Sequence, residues 1–115
     1  MSAKLKQSEK QVQADCFQWL SLQPHTWVWR QNTGLMRGEY GGKKRFIRFG
    51  LVGQGDITGI HGPTGRRIEI EVKATGKKPT QAQEVFLRTV AHFKGIAFYA
   101  DSLDMCMEKW KEQVK

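Results

Sequence analysis

Apolar residues recur at helical spacing at Val12, Cys16, Phe17 and Leu20, behind a Ser8/Gln11 pair that fits a capping box, and the pattern stops at Pro24. It predicts a helix over about residues 8–22. Thr26-Trp27-Val28-Trp29-Arg30 is aromatic and β-branched, as a strand requires. Ten of the twelve glycines fall between Gly34 and Gly65, so that region is expected to hold only short strands, such as Arg45–Phe49, joined by turns. Two longer strands, Gly55–Ile60 and Arg66–Ala74, flank the turn-forming His61-Gly62-Pro63-Thr64-Gly65. Thr80 and Gln83 repeat the capping-box signature before a helix whose apolar face is read as Ala82, Phe86, Val90 and Phe93, ending at Gly95. Ile96–Ala100 is a short apolar strand, and Ser102 caps a last helix with Leu103, Met107, Trp110 and Val114 as its stripe.

The resulting order of elements predicts an α/β chain with a mixed central sheet. Strand 66–74, the second helix and strand 96–100 form a βαβ unit, whose strands should be parallel with a right-handed crossover. At 115 residues the chain is expected to be one domain, with enough surface to bury for a single core. Cys16 and Cys106 lie too far apart for a zinc or redox motif and are read as reduced, buried thiols. No apolar run approaches the ~18 residues of a membrane span, and no apolar stretch follows the charged start, so a cytoplasmic protein is expected.

Charge narrows the class of partner. Nineteen Lys and Arg against eleven Asp and Glu leave a net charge of +8, which favours a polyanion such as nucleic acid. Arg30, Arg37, Lys43, Lys44, Arg45 and Arg48 cluster around one acid, Glu39, and with Asn32 form a candidate DNA-positioning group on glycine-rich connections. Lys77 and Lys78 precede the second helix and extend that group.

The chemistry concentrates in Ile68-Glu69-Ile70-Glu71-Val72-Lys73. Alternation puts the three apolar side chains on one face and Glu69, Glu71 and Lys73 on the other. A hairpin centred between Pro63 and Thr64 brings Asp56 opposite Glu71, and two carboxylates that close need a proton or a cation between them. Oxygen ligands without nearby His or Cys suit Mg²⁺ or Mn²⁺. The competing reading is a solvated strand face with loose ion pairs. A one-residue slip in register would make Glu69 the ligand in place of Glu71.

Gly55-Asp56 followed by Glu71-Val72-Lys73 resembles the D…(D/E)xK signature of PD-(D/E)xK nucleases, with Gly55 where proline is usual. The wider pattern is similar to the virus-type replication-repair nuclease (VRR-NUC) branch. It runs through Glu9-x-x-Val12-Gln13, Trp29-Arg30-x-Asn32-Thr33-Gly34, Arg45-Phe46-x-Arg48-Phe49-Gly50, Gly53 to Gly59, Thr80-x-x-Gln83 and Gly95 to Phe98, spanning about residues 8–105. The resemblance implies a restriction-endonuclease-like αβββαβ core and a metal-dependent DNA endonuclease. Compact stand-alone versions occur in phages, which would place the protein in host cytoplasm.

By the same resemblance, Asp56, Glu71 and the Val72 backbone carbonyl hold the metal. Lys73 orients the attacking water and stabilises charge on phosphate. Glu9 ligates a second or water-bridged ion, and Gln83 hydrogen-bonds to the lysine, the metal water or DNA. Against these roles, Glu9 is also a helix-start acid and Gln83 a capping glutamine. Structure-selective cleavage of four-way (Holliday) junctions by a homodimer is the expected activity, with flap or non-specific cleavage, or DNA binding without hydrolysis, as alternatives. Trp19, Trp27 and Trp29 are expected in the core or an interface rather than stacked on bases. A general-base role for His61 is disfavoured by its place at a turn.

Overall fold

The computed structural model describes residues 5–31, 34–40, 43–49 and 55–115, with side chains described in 5–31 and 55–115. The elements are α1 (Glu9–Ser21), β1 (Thr26–Arg30), β2 (Gly34–Tyr40), β3 (Lys43–Phe49), β4 (Ile57–His61), β5 (Arg66–Val72), α2 (Gln81–His92), β6 (Ile96–Ala100) and α3 (Leu103–Gln113). Four strands form a mixed sheet in the order β1-β4-β5-β6, antiparallel except for the parallel β5–β6 pair. With β2 and β3 set aside as a separate antiparallel pair, the chain runs αβββαβ with α3 appended. This is an α/β sheet flanked by three helices.

The hairpin of β4 and β5 pairs Ile57 with Ile70, Thr58 with Glu69 and Gly59 with Ile68. That register carries Asp56 to the level of Glu71, as the turn position predicts. Gly59 is required where it stands, because a Cβ there would meet the Trp27 carbonyl of β1 at 2.2 Å. One face of the sheet carries Val28, Ile57, Ile68, Ile70, Val72, Ile96 and Phe98, packed with Val12, Cys16 and Leu20 of α1 and Cys106 and Trp110 of α3. Both cysteines are reduced and buried. The outer edge of β6 is closed by α3, where Gln113 exchanges two hydrogen bonds with the Ala97 backbone and the Lys109 ammonium donates to the Tyr99 carbonyl. Side chains thus satisfy backbone groups that an open edge would leave for another strand.

Four expectations need correction. The glycine-rich region holds two seven-residue strands, β2 and β3, so Arg37, Lys43 and Lys44 lie on strands rather than connections, while Arg45 and Arg48 lie on the strand expected for them; their side chains, and Asn32 altogether, fall outside the described residues. In α2 the buried residue is Leu87, while Ala82 is exposed and Phe93 is 78% exposed. In α3 Trp110 is buried and Val114 packs on the core as the stripe predicts, but Cys106 is the second buried residue and Leu103 and Met107 are only partly covered. Of the core or an interface expected for Trp27, the core is ruled out, since the side chain is 67% exposed. Helical spacing names a face but not the layer it meets, and the tertiary contacts rotate both stripes by about one residue. No helix among the described residues is long and apolar enough to cross a membrane.

Gly59→Ala should lower stability by about 1–3 kcal/mol, the usual cost of forcing atoms into a packed site. A urea melt showing an unchanged midpoint would contradict the close β1–β4 approach.

Candidate metal centre

Three local devices bring the acidic side chains together. Asp56 enters β4 at a point where the Val72 N–H donates to its Oδ2 at 2.8 Å, tying it to β5. Glu71 lies at the end of β5. Glu9, in the first turn of α1, arrives because the segment before the helix is stitched to the loop after β5. There Gln7 N–H donates to Thr75 Oγ1 at 3.0 Å, and Thr75 N–H donates to the Gln7 carbonyl at 3.1 Å. Gly76 N–H donates to Asp101 Oδ2 and anchors the other side of that loop. The Ser8 capping box fixes where the helix starts, and hence where Glu9 points. One carboxylate oxygen from each of Glu9, Asp56 and Glu71 lies within 4.8 Å of the others.

Glu71 is only 2% exposed. Its Oε1 accepts from Gln83 Nε2 at 2.8 Å and lies 3.6 Å from the Lys73 ammonium. Its Oε2 is buried, with no hydrogen-bond donor among the described residues. Burial, then the neighbouring Asp56 charge, push the Glu71 carboxyl up to about 8 from its usual 4.5, with Lys73 opposing and Glu9 adding to the rise. The solvated-face reading of this strand is therefore overturned. A buried carboxylate beside two other acids is the arrangement that a divalent cation or a proton must neutralise.

Gln83 fills the capping role expected of it, and its side-chain partner is Glu71 rather than Lys73. Its Oε1 accepts from the Thr80 N–H at 2.8 Å and its backbone N–H donates to Thr80 Oγ1, completing the capping box. The amide's remaining end, Nε2, reaches Glu71. The cap thereby holds the amide in one orientation and aims it at the carboxylate.

Glu69 is fully buried but stands outside the cluster. Its Oε1 accepts two hydrogen bonds from Arg67, at 2.9 and 2.6 Å, and the Thr58 hydroxyl donates to the carboxylate at 3.3 Å. Its Oε2 accepts from the Gly55 N–H at 3.2 Å. A ligand role in place of Glu71 is excluded by these partners and by the observed register. Position 55 needs a residue with an N–H to give Glu69, which proline lacks, and has no room for a Cβ, which would lie 2.8 Å from the Ile70 carbonyl. Glu69 instead holds the backbone immediately before Asp56. Sequence reasoning missed this support, although the alternation of Arg67, Glu69 and Glu71 on one face is its visible trace.

Of the proposed DNA-positioning residues with described side chains, Arg30, Lys77 and Lys78 are exposed. Arg30 lies over the Phe17 ring at 5.2 Å, and Lys77 and Lys78 occupy the connection between β5 and α2. His61 packs edge-on against Trp110 at the far end of β4 from Asp56 and has no place in the cluster. Trp19 packs against the core, and Trp29 is partly buried. Compared with protein-family models, curated proteins and solved structures, the chain matches none.

The raised Glu71 carboxyl has a measurable consequence. The folded chain holds that proton more tightly than the unfolded chain does, so its contribution to stability is complete below about pH 4.5 and lost as pH rises through about 8. In chelator, the melting temperature should fall between about pH 4.5 and 8, and Glu71→Gln should flatten that part of the profile. Parallel profiles for the two proteins would contradict the assignment.

Proposed function

We propose that this protein is a Mg²⁺- or Mn²⁺-dependent DNA endonuclease of the PD-(D/E)xK kind, close to the VRR-NUC branch. The observation that carries the proposal is the buried, donor-free Oε2 of Glu71 within an acidic triad beside Lys73. An acidic cluster alone is common, but a buried carboxylate oxygen without a donor is costly unless a proton shared with Asp56 or a cation completes it, and the raised Glu71 carboxyl loses that proton as pH rises through about 8. The donor set is all oxygen, as hard divalent ions prefer.

Asp56 and Glu71 would hold the ion, with the Val72 carbonyl and Glu9 as further oxygen donors. When bound, such an ion polarises a phosphoryl oxygen and lowers the pKa of bound water. The chain supplies the remainder. Lys73 carries three rotatable donors on a fixed positive charge, suited to orienting the attacking water and to stabilising negative charge gathering on phosphate. Gln83 restrains Glu71, and Glu69 restrains the approach to Asp56. Arg30, Lys77 and Lys78 offer phosphate contacts that position DNA without reading bases.

Branched DNA is the proposed substrate, four-way junctions first. Paired cuts across a junction follow from a two-fold homodimer, each protomer bringing one site.

Incubation of the purified protein with labelled junction, flap and blunt duplex, in Mg²⁺, Mn²⁺ or EDTA, tests the reading. Cleavage should appear with either metal and vanish in EDTA. Glu71→Gln should abolish cleavage while leaving low-salt DNA binding in place, and an equally active variant would reject the assignment. Lys73→Ala should lower the rate at least tenfold with Mn²⁺ binding retained, consistent with a charge acting on the transition state.

A further inference from the structure

Alternation along the sheet decides which residues share the face of the acidic centre. Val28 is buried against the α1 and α3 layer, so its neighbours Trp27 and Trp29 project to the opposite face. Trp29 is the register partner of Thr58, and Thr58 hydrogen-bonds to Glu69, two residues from Glu71 on the same side of β5. Both indoles therefore share the face of Asp56 and Glu71. On that face α2 packs against β5 and β6, while the β1–β4 half keeps Trp27 67% and Ile60 40% exposed. The two indole rings lie 5.0 Å apart and are tilted by 57°, so each presents its own surface.

We propose that Trp27 and Trp29 form a stacking platform for unpaired bases of a nucleic-acid strand whose phosphate lies at the acidic centre. This rests on the nuclease reading and, within branched DNA, moves the preferred substrate from fully paired four-way junctions to DNA carrying unpaired bases beside the cut, as at a flap. The spacing fits. Trp29 lies one strand and two residues from Asp56, roughly 8 Å, and Trp27, paired with Ile60, one strand and four residues, roughly 14 Å from strand geometry, or about two and about four nucleotides at the ~3.4 Å rise of a stacked strand. Indole rings accept any base, because every base has a π-face, whereas a blunt duplex keeps its bases stacked inside. The net charge of +8 supplies the accompanying attraction for the backbone. A partner protein of acidic character has no such reason to seat its bulk beside a metal centre.

Binding is measured in EDTA, so hydrolysis plays no part, using fluorescein-labelled oligothymidylate and a blunt duplex of equal length. Trp27→Ala should weaken oligothymidylate binding about tenfold, the usual worth of one stacked base, and leave duplex affinity and the salt slope unchanged. Trp27→Phe should restore most of the loss, and oligothymidylate should quench the indole fluorescence of the wild type. Equal losses on both DNAs, no loss at all, or a Trp27→Ala protein that turns from dimer to monomer in light scattering would overturn the platform. The nuclease reading fails separately, if the wild type binds oligothymidylate but cuts nothing in Mg²⁺ or Mn²⁺.

Discussion

A carboxylate held almost wholly out of water beside two fellow acids, with one oxygen satisfied and the other without a donor, is the constraint around which this protein is organised. Glu71 accepts from Gln83 and neighbours Lys73 through Oε1, while Oε2 has no donor. Such a group is unfavourable to stability by itself. Completing it takes a proton at low pH and, under the proposed function, a cation once that proton is lost.

The rest of the fold supplies the geometry. The β4–β5 register brings Asp56 level with Glu71, the Gln7–Thr75 exchange draws the start of α1 in with Glu9, and the Thr80 cap aims Gln83. Beneath these, the Arg67–Glu69–Thr58 network holds Gly55 through its N–H. Glu69 and Glu71 illustrate how neighbours set role: both are buried carboxylates on one strand face, but only Glu69 has donors for both oxygens. The first is consequently scaffold, and the second is left available to a ligand.

Much of this was legible from the chain. The turn at Gly62-Pro63-Thr64-Gly65 set the register, strict alternation in Ile68 to Lys73 set the face, and both capping boxes fell where their residues predicted. These are local regularities, fixed by backbone geometry. What escaped depends on packing between distant segments. Glu69 could not be distinguished from a ligand until Arg67 and Thr58 were seen to saturate it, and the contacts of α2 selected Leu87 over the stripe ending at Phe93. Trp27 looked like core because aromatic strands usually are, yet β1 lies at the edge of the sheet and its second face has no helix over it among the described residues.

The most direct test is Mn²⁺ binding itself, followed by electron paramagnetic resonance near neutral pH on the wild type and on Asp56→Asn. The wild type should show a saturable Mn²⁺ site that competes with Mg²⁺ and is lost in the variant, while the melting profile shows that the variant stays folded. Equal Mn²⁺ binding by a folded Asp56→Asn protein, or none by the wild type, would contradict it.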